Sequence, residues 1–308
     1  MRLDQPSRAA LANPTLVTSL AVAPDGSEVL AGQASEDGQP ALSRWALPDL
    51  SPLDGPGGDL LGEDTCRVLV RDEAGRVALA GFSRQRLVLI APDGTRTEPV
   101  PGDVVWAELG GGLLASSGTQ TELYALDSAA PELLWRLDPP APRLPNQPSL
   151  APLISLGADR KSFTVGGTGD PEVRVYPIGG GPAEAVLTGA PERLRWLGQA
   201  PGSGYVLAID ADARSTVVWK AGAAGPHLPD IFGEEAQQYW SAAFHPDGEH
   251  VALGMLSGYV DIFRLPDGEI TDSQSRHTGR VQALAFTPDG SLLLSGGDDG
   301  QLLAWPVR

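Results

Sequence analysis

Of the 308 residues only Cys66 is a cysteine, so no disulfide can form within the chain and no set of bridges fixes the fold. Lysine is nearly absent as well: Lys161 and Lys220 stand alone, and every other basic residue is an arginine. With abundant Ala, Gly and Pro, that bias matches a GC-rich coding sequence and leads us to expect a bacterial source. Positive charge as a whole is scarce, 22 Lys and Arg against 39 Asp and Glu, for a net charge of −17. Such a chain repels phosphate backbones and has no basic stripe to offset the repulsion, which argues against a nucleic-acid partner. No stretch approaches 18 consecutive apolar residues, and Met1 to Asn13 has no apolar leader core. Neither a membrane partner nor secretion is therefore expected, and a cytoplasmic location is. Helical periodicity over a dozen residues is also missing. What is present is globular in balance, 42% hydrophobic and 20% charged, with 38 Gly and 28 Pro punctuating too often for a helical protein.

The punctuation repeats. Pro-Asp-Gly follows an alternating apolar strand at Pro24-Asp25-Gly26, Pro246-Asp247-Gly248 and Pro288-Asp289-Gly290. Degenerate copies of the turn fall at Asp72-Glu73-Ala74-Gly75, Gly110-Gly111-Gly112, Gly157-Ala158-Asp159-Arg160 and Pro201-Gly202-Ser203-Gly204. Seven turns give a mean spacing of about 44 residues, inside the roughly 40–45 of a four-stranded propeller blade. After each turn comes a short apolar strand, then a polar loop, then a strand with an aromatic near its end: Trp45, Tyr124, Tyr176, Trp219, Phe263 and Trp305, with Leu89 in the second unit. An outer strand completes each unit. The expectation is an all-β, seven-bladed propeller with four-stranded blades, a single domain over residues 1–308. The chain stops after the third strand of the last unit. Residues 1–13, around Arg8-Ala9-Ala10-Leu11, are then expected to supply the missing strand and close the ring.

The last unit carries a specific likeness. His277-Thr278-Gly279-Arg280-Val281, Pro288-Asp289-Gly290, Ser295-Gly296-Gly297-Asp298-Asp299-Gly300 and Trp305 together resemble a WD-repeat. The resemblance implies a hydrogen-bonded structural tetrad of His277, Ser295, Asp299 and Trp305. It departs from the pattern at Arg276, where the family has Gly, and at Pro306, where the dipeptide's Asp would stand. It is strong over 238–308 and weak over 60–235, and the residue pattern by itself also suits another seven-bladed family. No other unit keeps the His, so six blades lack the full tetrad.

Chemistry-bearing residues are dispersed. His245 and His250 flank a turn on opposite arms of a hairpin with no third metal ligand in view, and read as exposed hairpin residues. Gly202-Ser203-Gly204-Tyr205 lacks a nucleophile-elbow pattern, and the Gly179-Gly180-Gly181 and Gly110-Gly111-Gly112 runs open no helix; all are turns. Asp298-Asp299-Gly300 is the nearest approach to a calcium loop. Cys66 reads as a buried, inert thiol. No cofactor, catalytic residue or metal ligand is assigned, and the protein is expected not to be an enzyme. The competing reading is a metal-dependent propeller hydrolase or lactonase working in the central channel, with Glu108 and Glu192 as candidate carboxylates.

Two features suit recognition. Asp138 to Ser149 carries prolines at 139, 140, 142, 145 and 148, and is either a docking edge or a surface insertion. Tyr239-Trp240 precedes the sixth turn, where sister units place the polar Thr18 and Gln282, with Arg280 nearby. An aromatic there is an interface anchor, or is buried beneath the Phe232 loop. The candidate partner-binding residues are thus Tyr239, Trp240, Arg280, Gln282 and Thr18, on a noncatalytic scaffold for a protein or peptide. The resemblance places binding on the top face; the acidic balance favours basic partners, and a monomer is expected in isolation.

Overall fold

The computed structural model describes residues 1–10, 16–34, 42–54, 65–81, 86–100, 102–118, 120–126, 131–138, 152–157, 159–223, 225–228 and 238–308. The Pro-rich stretch from 139 to 149, the Phe232 loop and Leu11 to Asn13 lie outside them. Strand β1 (Ser7–Ala10) precedes the first blade, which is β2 (Val17–Val22), β3 (Glu28–Gln33), β4 (Leu42–Ala46) and β5 (Pro52–Leu53). Blade 2 is β6 (Cys66–Arg71), β7 (Val77–Gly81), β8 (Val88–Ile90) and β9 (Arg96–Thr97). Blade 3 is β10 (Val104–Gly110), β11 (Leu113–Gly118), β12 (Thr121–Ala125) and β13 (Glu132–Arg136). Blade 4 is β14 (Leu153–Leu156), β15 (Ser162–Gly166), β16 (Glu172–Pro177) and β17 (Ala185–Thr188). Blade 5 holds β18 (Leu194–Gln199), β19 (Tyr205–Asp210) and β20 (Thr216–Lys220). Blade 6 is β21 (Tyr239–Phe244), β22 (His250–Met255), β23 (Tyr259–Arg264) and β24 (Glu269–Ser275). Blade 7 is β25 (Val281–Phe286), β26 (Leu292–Gly297) and β27 (Gln301–Pro306), with β1 as its outer strand. The described residues contain no helix.

Each blade is a meander of antiparallel strands because its turns leave the chain no other course. In Pro288-Asp289-Gly290 the Asp289 carboxylate accepts the Ser291 N–H at 3.0 Å, and Gly290 takes φ +73°, which a side chain would oppose. Asp25 and Asp247 repeat the capping at Ser27 and Glu249. In blade 4 the left-handed place falls to Arg160, at φ 56°.

Side chains alternate across a strand, so each sheet has two apolar faces, and each face packs on a different neighbour. Leu207 and Ile209 of β19 join Tyr239, Val251 and Phe263 of blade 6, whereas Val206 and Ala208 of the same strand join Val173 and Leu187 of blade 4. Seven apolar clusters among the described residues each fill one blade–blade interface, from Ala21–Leu79 between blades 1 and 2 round to Leu302–Val29 between blades 7 and 1. The third-strand aromatics hold one register: Trp45 faces Val29, Tyr124 Leu114, Tyr176 Phe163, Trp219 Val206, Phe263 Val251 and Trp305 Leu293, with Leu89 opposite Ala78.

The ring closes as its strand count requires. Strand β1 pairs antiparallel with β27, Ser7 with Ala304 through Ala10 with Gln301, and Leu3 bridges Val307. In the blade-5 sheet three strands lie among the described residues. There Leu228, bridged to Val218 by hydrogen bonds of 2.9 and 3.0 Å, occupies the outer edge.

Candidate functional site

Six innermost strands begin with the same irregularity. Val17, Cys66, Val104, Leu194, Tyr239 and Val281 pair with the second strand, the next residue is bulged out of register, and pairing resumes one residue later. The residues before the bulge are all buried, since they point into a blade–blade wall. The bulged residues are Thr18, Arg67, Val105, Arg195, Trp240 and Gln282, and every one is half-exposed. A bulge re-aims one side chain out of the ladder; here it does so around one mouth of the central channel, on the face where the innermost strands begin (the top face). A cavity of about 290 Å³ behind that mouth is lined by Thr18, Arg67, Val105 and Gln282.

This geometry corrects one expected site residue. Tyr239 is fully buried, its hydroxyl donates to Asp261 at 2.7 Å, and burial together with the Asp261 charge pushes its phenol pKa up. Tyr239 belongs to the wall between blades 5 and 6, one residue ahead of the bulge. Trp240 and Gln282 do reach the mouth: the indole N–H donates to the Gln282 side-chain oxygen at 2.8 Å, and the Gln282 amide donates to Asp298 at 2.6 Å. Thr18 turns its hydroxyl to the Cys66 carbonyl at 2.5 Å, across to blade 2. Arg280 lies 3.9 Å from the Trp240 ring centre, and Arg195, a residue the sequence reading did not single out, lies 3.2 Å from it. Burial and the charge of Arg280 bring Arg195 down to about 10. The missed arginines Arg67 and Arg195 were accessible to a unit-by-unit alignment, because they hold the register of Trp240.

At the outer part of blade 7 the four residues His277, Ser295, Asp299 and Trp305 form one chain of hydrogen bonds. Trp305 donates its indole N–H to the Ser295 hydroxyl oxygen at 2.8 Å, and that hydroxyl lies 2.8 Å from His277 Nε2. His277 Nδ1 lies 3.0 Å from Asp299. One tautomer satisfies every partner: Nδ1–H donates to the carboxylate while Nε2 accepts from serine. Gly297 makes room, since a Cβ there would stand 2.8 Å from His277 Nδ1. Asp299 also accepts the Thr278 N–H at 2.9 Å. Burial pushes its carboxyl up, but the bonds from His277 and Thr278 outweigh that and hold it below its ordinary range.

A family model described as "WD domain, G-beta repeat" matches residues 268–305, which span the outer strand of blade 6 and all of this network. The last blade of this seven-bladed propeller is thus similar to a WD repeat. The chain's similarity to curated proteins agrees: it is 36% identical over 81 residues to the WD repeat-containing protein JIP5 of Phaeosphaeria nodorum, covering 20% of this chain and 19% of that one. It is 34% identical over 94 residues to Protein HIR1 of Kluyveromyces lactis, covering 24% and 11%. It is 35% identical over 65 residues to the serine-threonine kinase receptor-associated protein of Bos taurus, covering 21% and 19%. The matched segments thus span no more than a fifth of these relatives.

Elsewhere in the propeller, the other candidate residues are scattered. Glu108 lines the channel from both ends, and a second cavity of about 560 Å³ opens beyond it among the Pro-Asp-Gly turns. Its carboxylate accepts the Leu156 N–H at 2.7 Å, and burial pushes its pKa up to about 7. Glu192 is exposed in the loop before β18 and does not line the channel with it. His245 and His250, expected on the outside of their hairpin, have side chains only 14% and 15% exposed; both ring Nδ1 atoms turn to the Asp247 carboxylate, at 3.0 and 2.8 Å. Among the described residues no group of three or more His, Cys, Asp or Glu is placed to hold a metal ion. Cys66 is buried against Ser19. No helix of the described residues is long and apolar enough to cross a membrane.

Proposed function

We propose that this WD-repeat propeller is a noncatalytic scaffold that binds a protein or peptide segment on its top face, across the mouth ringed by the bulged residues. The observation that carries the reading is the half-exposed Trp240 at that mouth, an aromatic in a register where its neighbours are polar or cationic. Aromatic and arginine side chains at the centre of an interface carry a disproportionate share of binding energy. The relatives support it in general terms: two are named WD repeat-containing proteins and a third is named a receptor-associated protein. A cytoplasmic monomer is part of the same proposal. The net charge of −17 supports long-range attraction of basic proteins, while the charged side chains among the bulged residues are arginines.

The test is Trp240→Ala. Affinity for a partner captured by pull-down is expected to fall by about 2 kcal/mol or more, with the melting temperature nearly unchanged. A variant that loses stability, and loses binding only in proportion to unfolded protein, would return Trp240 to the core and refute the reading.

A further inference from the structure

The charge at the top mouth runs against the charge of the chain. Among the bulged residues are two arginines and no carboxylate, in a protein where acidic residues outnumber basic ones by 39 to 22. Arg195, from blade 5, and Arg280, from blade 7, both pack on the indole of Trp240 in blade 6, at 3.2 and 3.9 Å from its centre. Their guanidinium carbons are therefore no more than about 7 Å apart. Like charges held that close repel unless something negative joins them.

The joining charge is incomplete. Arg280 faces Asp298 at 3.3 Å, and that carboxylate also accepts from Gln282. Arg195 makes no ion pair among the described residues; its hydrogen bond goes to the Ala211 carbonyl. The Nε of Arg195 is buried without a hydrogen-bond acceptor, and the Nε of Arg280 meets Asp298 as an ion pair and not as a hydrogen bond. In direct contact the two guanidinium charges meet one carboxylate, which leaves one positive charge over, while Asp210 and Asp212 act on Arg195 only at longer range. The rings of an aromatic are negative on the face and positive at the edge, so cations on its face leave an edge that attracts an anion.

We propose that this corner of the mouth, Arg195–Trp240–Arg280 with Gln282, receives the carboxylate side chain of an aspartate or glutamate in the bound peptide segment. The residual charge matches one carboxylate better than a doubly charged phosphate. A guanidinium fork pairs with a carboxylate through parallel hydrogen bonds. The surrounding field of a chain at −17 limits how much negative charge the rest of the segment can carry, so the anchor is a single acidic residue in an otherwise neutral or basic stretch. The inference rests on the top-face reading and adds the chemistry of the residue recognised.

The experiment uses the full chain, immobilised, and four degenerate heptapeptide pools with Glu, Gln, Lys or phosphoserine fixed at the centre. The Glu pool is expected to be retained about tenfold or more over the Gln and Lys pools, as a charge-assisted hydrogen bond would give. That preference should shrink between 50 and 500 mM salt, roughly as screening of a half-exposed pair requires. It should disappear in Arg280→Gln and in Arg195→Gln, each checked for an unchanged melting temperature, and Arg195→Lys serves if the glutamine variant does not fold. Stronger retention of the phosphoserine pool would overturn the carboxylate in favour of a phosphate. Retention of the Lys pool that depends on Trp240 would overturn the acidic anchor and leave the top-face scaffold standing. If no pool is retained in a Trp240-dependent way, the scaffold reading fails together with this one.

Discussion

Blades 7 and 3 place a serine at the same point of the second strand and handle it in opposite ways. Ser295 is the hub of blade 7, joined to Trp305 and His277. Ser116, at the same register in blade 3, has a buried hydroxyl with no hydrogen-bond partner among the described residues. Blade 3 has moved its polar contacts one strand outward: the fully buried Glu122 accepts from the Tyr124 hydroxyl at 2.6 Å and from Arg136 at 2.7 Å. Blade 6 uses the same place, where Asp261 takes the hydroxyls of Tyr239 and Ser273. Blades thus place their buried polar networks on different strands, and the residues that build them are interchangeable. That is why the tetrad is missing from six blades while the architecture persists.

The comparison can be broken at several strengths. The largest effect is expected from Trp305→Ala, which empties a fully buried site and removes one of the two partners of Ser295; denaturant titration should show a loss of about 3–5 kcal/mol. Next comes the serine pair. Ser295→Ala removes the partner of two buried groups and should cost about 2–3 kcal/mol, whereas Ser116→Ala should stay within about 0.5 kcal/mol. Equal costs at the two sites would mean that blade 3 has a serine-centred network after all. A smaller effect is expected with acid. The carboxyl of Asp299 titrates below its ordinary value of 3.8, so its stabilisation is complete above that pH and is lost as pH falls through the lowered value. Asp299→Asn should flatten the fall of melting temperature below about pH 4. Glu108 runs the other way, since its folded pKa near 7 stands above 4.5. The folded protein binds the extra proton between those values, so stability declines as pH rises across them, and Glu108→Gln should remove that decline.

The fold was legible because its signals are local and repeated. Pro-Asp-Gly fixes a turn by Asp capping and a left-handed glycine, and the third-strand aromatic marks a register; both survive in most units even where the family motif does not. The closing strand followed from counting strands. Other features depended on geometry that period-two alternation cannot supply. A single bulge separates buried Tyr239 from half-exposed Trp240, and an alternating pattern read without it treats the two as one feature. The inward arginines Arg67 and Arg195 resembled ordinary surface charge until the bulge aligned them with Trp240. Glu122 and Asp261 went unnoticed because a carboxylate inside a strand gives no sequence sign of the tyrosine it will meet.

The pairing of β1 with β27 also sets how the molecule comes apart. An open array of repeats has two end units, each held by one interface, and it frays from them. Closing the array imposes a periodic boundary: every blade is held on both sides, and the first to melt must give up two interfaces at once. The backbone bonds between Arg2 and Arg308 at 2.9 Å join the extremes of the sequence into that boundary. We expect opening to start at this seam, where hydrogen exchange should report it before any other blade; earlier exchange within another blade would overturn that order.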